Sequence, residues 1–191
     1  MKRAVYIVPG FSHKTSEPPY QAVAQAFAVR GIEPVLIDIG WRRQGIQGYL
    51  REARAAVLAR PAEEPYFFGF SMGAMCLLGM EPEVMPRAQI LCSLMGLWRE
   101  DQPYQQWYMR AWAWRIYLGR RKPSYPSRDG MPLPRTIFVY GEREARIIHP
   151  RVRAARDDRF PGSETVVVPG ARHAIGEPVY VRAVVGLIAT L

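Results

Sequence analysis

Tyr66-Phe67-Phe68-Gly69-Phe70-Ser71-Met72-Gly73-Ala74-Met75-Cys76-Leu77-Leu78 is the stretch on which the reading of this chain turns. An apolar, aromatic run breaks into Gly-x-Ser-x-Gly and continues into small and apolar residues free of glycine and proline. Strand, sharp turn and helix in that order make a nucleophile elbow, with the serine in a strained conformation that lifts its hydroxyl above the sheet edge. The turn is so tight that a Cβ two residues to either side of the serine is expected to strike neighbouring backbone, which accounts for Gly69 and Gly73.

Working outward, Ala4 to Val8 is a continuous apolar run ending in Pro9-Gly10, as a strand buried on both faces should be. A helix is expected over about Tyr20 to Arg30, a second strand over Pro34 to Ile39, and an amphipathic helix over Gly48 to Arg60. The elbow strand is third. Ala88 to Leu94, Thr136 to Tyr140 and Glu164 to Val168 follow as strands, and a last helix runs from about Val179 to Ala189. Strands alternating with helices imply an α/β domain of three layers: an open, mostly parallel six-stranded sheet with helices on both faces. Pro9-Gly10-Phe11, Gly69 to Gly73, Gly141 to Glu144 and Pro169 to His173 all fall just past strand ends. Four separated loops therefore converge on the carboxyl edge, where such sheets carry their sites.

The 191 residues, 49 % hydrophobic, suit one domain with a full core. No run reaches the length of a membrane span, and the apolar start is cut too early for a signal peptide. Cys76 and Cys92 both sit in apolar stretches, so buried thiols and a cytoplasmic setting are expected. The formal charge of +9 raises the question of an acidic partner. Zinc-finger spacing, an aromatic RNA-binding signature and a glycine-rich phosphate loop are all missing, so nucleic acid is not expected.

One segment breaks the rhythm. Residues at about 97–134 exceed a simple crossover and read as a lid-like insertion in a single domain spanning 1–191. It gathers Trp98, Trp107, Trp112, Trp114 and several tyrosines, with Arg110, Arg115, Arg120, Arg121 and Lys122 among them. Its aromatic area suits an acyl-side wall, with Trp107 and Trp112 as candidate substrate contacts, while Met72, Met75, Met80, Met85 and Met95 read as ordinary adaptable packing, of which Met72 and Met95 are candidates to face an acyl pocket. The 107–122 segment is also where contact with a membrane surface or an acidic carrier would fall.

Taken together, Gly69-Phe70-Ser71-Met72-Gly73, Val139-Tyr140-Gly141-Glu142-Arg143-Glu144 and Val168-Pro169-Gly170-Ala171-Arg172-His173 resemble the α/β-hydrolase family, in a small form lacking the first two strands of larger members. Their order, nucleophile then acid then histidine, is the order of that fold. The resemblance implies Ser71 as nucleophile, His173 as general base and acid, and Glu144 as the carboxylate that orients the imidazole. It also implies an oxyanion hole from the backbone N–H groups of Phe11 and Met72, each typically worth about 3 kcal/mol to the transition state. Glu stands where Asp is commoner, and Arg143 and Arg146 flank it, so Glu142, Asp157, Asp158 and, more weakly, Asp38 stay open as the acid.

The expected activity is hydrolysis of a small-molecule carboxylic ester or thioester through an acyl-enzyme, with no metal and no organic cofactor. Two alternatives come from other classes. One is an acyltransferase or thioesterase acting on an acidic carrier, and the other is a non-catalytic binding protein of the same fold.

Overall fold

The computed structural model describes residues 1–41, 45–81, 83–94, 98–104, 124–125, 133–145 and 158–191. Its six strands are β1 (Arg3–Val8), β2 (Glu33–Leu36), β3 (Glu64–Phe70), β4 (Ala88–Cys92), β5 (Arg135–Gly141) and β6 (Glu164–Val168). The helices are α1 (Pro18–Val29), α2 (Gly45–Leu58), α3 (Met72–Leu78), the single turn α4 (Glu142–Ala145) and α5 (Pro178–Ile188). A 3-10 turn covers Arg99–Tyr104.

Every strand pairing is parallel, so the sheet is wholly rather than mostly parallel, in the order β2-β1-β3-β4-β5-β6. The chain steps outward once, from β1 to β2, then crosses back over β1 to β3 and builds the rest in the other direction. Such a reversal opens a crevice at the carboxyl ends of β1 and β3, because their following loops leave toward opposite sides. The Gly10 loop and Ser71 both lie there.

Alternation along each strand feeds two cores. Ala4, Tyr6 and Val8 join Phe67, Phe138 and Tyr140 on the face covered by α2 and α3. Val5 and Ile7 join Phe68, Ile90, Ile137 and Val139 on the face covered by α1 and α5. Helix α1 buries Tyr20, Val23, Ala24 and Phe27, the i, i+3, i+4, i+7 stripe of an amphipathic helix, and α5 buries Tyr180, Val184 and Ile188. Both begin on a proline, whose missing N–H and fixed φ suit the first helical turn.

The second strand is shorter than its apolar run suggests. It closes at Leu36 on the sheet edge, where Pro34 costs no ladder bond, and Asp38 turns back to accept a hydrogen bond from the Thr15 N–H at 2.7 Å. Helix α2 starts three residues before the expected Gly48. Within the long segment, Trp98 is buried and stacks on Tyr125 at 5.0 Å, and the Tyr125 hydroxyl donates to Asp101 at 3.1 Å. Tyr125 in turn meets Phe160, which packs on Phe138 of the sheet. The remainder of the lid-like insertion lies largely outside the described residues.

Candidate active site

Ser71 stands between β3 and α3 at φ 53°, ψ −114°, a combination that side-chain-bearing residues seldom adopt. Its own N–H donates to the Cys92 carbonyl at 2.8 Å, which ties the apex to the neighbouring strand. The flanking glycines are required by space. A Cβ on Gly69 would lie 2.4 Å from the Ala74 Cα, and one on Gly73 would lie 2.1 Å from the Val8 carbonyl oxygen and 2.4 Å from that of Pro9. The second clash also shows how closely the start of α3 approaches the loop leaving β1.

Glu144 is on the turn α4 directly after β5 and is 7 % exposed. Its Oε1 accepts the Gly141 N–H at 2.6 Å and the Ser93 hydroxyl at 2.5 Å. Its Oε2 faces His173 Nδ1 at 2.5 Å, and His173 Nε2 faces Ser71 Oγ at 3.0 Å. An ionised carboxylate only accepts, so the Nδ1 nitrogen carries the imidazole proton and Nε2 is left to receive one from Ser71. The histidine side chain is 40 % exposed, against 9 % for the glutamate, so the line runs from a sheltered carboxylate to an accessible base.

Two loops hold that line together. Gly141 has no room for a Cβ, which would sit 2.5 Å from the Ala171 carbonyl oxygen, and the Arg143 N–H donates to the same oxygen at 3.0 Å. Beyond it, Glu177 accepts the N–H of Arg172 at 3.0 Å and its Nε at 2.9 Å. These hydrogen bonds from Arg172 hold the Glu177 carboxyl below its usual range. The backbone of the two residues leading into His173 is therefore held from both loops.

The loop after β1 completes the crevice. Its Gly10 N–H donates to the Tyr20 hydroxyl at 2.9 Å, and burial pushes that phenol well above its ordinary pKa, so it stays uncharged. Next to it, the Phe11 ring is 44 % exposed and meets Trp41 at 5.6 Å, while Trp41 meets Tyr49 at 5.0 Å. Under the histidine lies Phe70, 5.1 Å from the His173 ring and 5.8 Å from the ring of His13, on which it stacks.

The structure thus brings together Ser71, Glu144 and His173; Met72 follows Ser71 in the chain, and Phe11 lies two residues beyond Pro9, whose carbonyl the start of α3 approaches. The structure also sorts the rival acids. Glu142 accepts the Gly170 N–H at 2.9 Å, Asp38 holds Thr15, and Asp158 is exposed, whereas Asp157 lies outside the described residues. The side chain of Met72 is fully buried in the core beneath α2 and α3, so it does not face a pocket. Met95, Trp107, Trp112 and the basic 107–122 segment lie outside the described residues. In the loop after β1, His13 Nδ1 faces the Tyr20 hydroxyl at 3.0 Å.

Ser93, Tyr180, Trp41 and Tyr49 were not singled out from sequence as part of the site, and Phe11 was named only for its backbone N–H. A serine ending a strand and a tyrosine opening a helix carry no spacing signal of their own. Both cysteines are free and buried, and burial raises their thiols far enough to keep them uncharged. Among the described residues no cluster could hold a metal ion, and no helix is long and apolar enough to cross a membrane.

The chain has the α/β-hydrolase fold. It superposes on Est1E from Butyrivibrio proteoclasticus with a TM-score of 0.68 at 17 % identity, covering 99 % of this chain and 88 % of that one. Dienelactone hydrolase from Anabaena variabilis gives 0.64 at 16 % identity, covering 99 % and 85 %. The type II thioesterase BorB from the borrelidin biosynthetic cluster gives 0.60 at 17 % identity, covering 100 % and 92 %. No protein-family model matches the sequence, and no curated protein does.

Proposed function

We propose that this chain is a serine hydrolase that cleaves a small-molecule carboxylic ester or thioester through an acyl-enzyme. The observation that carries this reading is the unbroken hydrogen-bonded line from Ser71 Oγ through His173 to Glu144, with its serine on a strained apex. Likeness in fold to an enzyme named dienelactone hydrolase and to a type II thioesterase is consistent with it. Residues 1–191 are taken as one domain with an insertion at about 97–134.

Ser71 Oγ attacks the substrate carbonyl as its proton passes to His173 Nε2. The imidazolium is stabilised by Glu144, which keeps its charge throughout. The oxyanion of the tetrahedral intermediate is received by the backbone N–H groups of Met72 and Phe11, worth about 3 kcal/mol each. Contact of Gly73 with the Val8 and Pro9 carbonyls supports that pairing, because it sets the elbow directly against the Gly10 loop. Collapse breaks the bond to the alcohol or thiol, which leaves with the proton from His173. Water then gives a proton to His173, attacks the acyl group, and releases the acid as Ser71 regains its hydrogen.

The exposed Phe11 ring and the Trp41 and Tyr49 rings packed with it form an apolar wall on the loop that offers the Phe11 N–H, suited to an apolar or aromatic part of the substrate. A carrier-bound thioester is the second reading, favoured by the likeness to BorB and the surplus of positive charge. Salt would then raise KM steeply.

The test is labelling of the wild type and of Ser71→Ala by a fluorophosphonate, with hydrolysis of p-nitrophenyl esters from acetyl to decanoyl. Labelling and turnover that depend on Ser71 are expected. A folded wild type that neither labels nor turns over would remove the hydrolase reading and leave a binding protein of this fold.

A further inference from the structure

Two neighbouring strands of this sheet end in the same way. β3 runs into Ser71 at φ 53°, and β4 runs into Ser93 at φ 51°. Each serine N–H donates to the next strand across, Ser71 to Cys92 and Ser93 to Val139, at 2.8 and 2.7 Å. A left-handed serine is strained, and such strain persists where the surroundings use it. At Ser93 the use is visible: its hydroxyl lies 2.5 Å from Glu144 Oε1 and 2.8 Å from the Tyr180 hydroxyl, with all three groups buried.

Counting protons fixes the direction of these contacts. Glu144 as a carboxylate can only accept, so the one hydrogen of Ser93 Oγ goes to it. In the contact between Ser93 and Tyr180 the phenol is then the donor, its one hydrogen shared between Ser93 Oγ at 2.8 Å and the Val139 carbonyl at 3.1 Å, with the Cys92 thiol as a further hydrogen-bonding neighbour. Deep burial raises the Tyr180 phenol well above its ordinary pKa, so it remains a donor.

We propose that Ser93 is a positioning residue for the reaction, donating to Glu144 from behind while Tyr180 donates to Ser93, so that the flexible glutamate presents Oε2 squarely to His173. This inference deepens the hydrolase reading and rests on it. It also explains how a glutamate serves in place of the shorter aspartate. Its extra torsion is held by two donors on Oε1, the Gly141 N–H and the Ser93 hydroxyl, before the histidine binds Oε2.

Ser93→Gly is the variant of choice, because glycine tolerates the positive φ and the fold is expected to hold without the hydroxyl. Removing one hydrogen bond to a charged group should slow fluorophosphonate labelling of Ser71 about tenfold, and Tyr180→Phe should slow it less, by about threefold. In a Glu144→Ala background, Ser93→Gly should add no further loss, since it acts only through that carboxylate. By NMR, the His173 Nδ1–H resonance should exchange with water about tenfold faster in Ser93→Gly than in wild type, a readout that needs no turnover.

An unchanged resonance and exchange rate in folded Ser93→Gly would overturn the proposal, as would an equal rate loss with and without Glu144. Should the wild type itself fail to label, the hydrolase reading falls, and the resonance alone decides whether Ser93 positions the Glu144 and His173 pair.

Discussion

His173 Nε2 lies 3.0 Å from Ser71 Oγ although 102 residues separate the two in the chain. Neither residue could hold that distance alone. The serine is fixed by a turn that excludes side chains on both sides, and the histidine by a loop pinned to Gly141 and Arg143 in front and to Glu177 behind. Both loops are extensions of strands in one parallel sheet, so the spacing of strands across that sheet sets the spacing of the two side chains.

Only one of the acids around α4 should matter to catalysis. Glu144→Gln removes the charge that favours imidazolium and can place an amide N–H against Nδ1, so kcat should fall by about 10^3-fold with KM little changed. Glu142→Gln removes the charge but keeps an oxygen that can accept the Gly170 N–H, and should leave kcat within about threefold of wild type. Steady-state kinetics of both variants on one p-nitrophenyl ester decides the matter. A larger effect at Glu142 would reassign the acid.

Gly141→Ala tests the junction of the acid and histidine loops. The new Cβ would need to displace the Ala171 carbonyl from 2.5 Å, and it is backbone that must move. Overpacking of this kind typically costs about 1–3 kcal/mol. The shift is carried to His173, two residues on, so a variant that remains folded should lose about 10^2-fold in kcat, as expected for misplacement by about an ångström. Wild-type kcat in a folded Gly141→Ala would show that the two loops are not mechanically joined.

The elbow and the convergence of loops on the carboxyl edge were legible in the sequence because each leaves a local mark, whereas Ser71, Glu144 and His173 were named together only through the family resemblance, with other acids left open. Gly69 and Gly73 are there for want of space, Gly141 likewise, and His173 follows the last apolar strand. What packs across the sheet leaves no such mark. Ser93 looks like the polar end of any strand, and its role follows only from β4 lying between β3 and β5, which brings it under Glu144. Met72 shows the converse. An adaptable side chain made it a candidate to face a pocket, but a residue opening α3 points its side chain into the layer between the helix and the sheet.

The aromatic wall gives a prediction about substrate choice. Trp41 packs between Phe11 and Tyr49, and cutting it to alanine removes the support of the exposed ring. Loss of an apolar contact of this size should raise KM for aryl and long acyl esters by about fivefold to tenfold and leave acetyl esters close to wild type. Equal loss across the series would place the apolar part of the substrate elsewhere.

Alkaline stability should carry the signature of the buried phenols. Burial raises Tyr180 and Tyr20 well above the ordinary value of 10.0 in the native state, and an unfolded chain would ionise them near that value. Below about pH 10 both states keep the protons and the contribution is constant. Above it, the unfolded chain releases protons that the native protein still holds, so stability is lost as pH rises, by about 1.4 kcal/mol per pH unit for each such tyrosine. Replacing Tyr180 by phenylalanine removes one of those protons. Urea denaturation at a series of pH values from about 9 to 11 should therefore show a shallower decline for Tyr180→Phe than for wild type, even though the variant starts less stable. Parallel declines would mean that the Tyr180 phenol ionises in the native state, and the donor that Ser93 relies on would be lost with it.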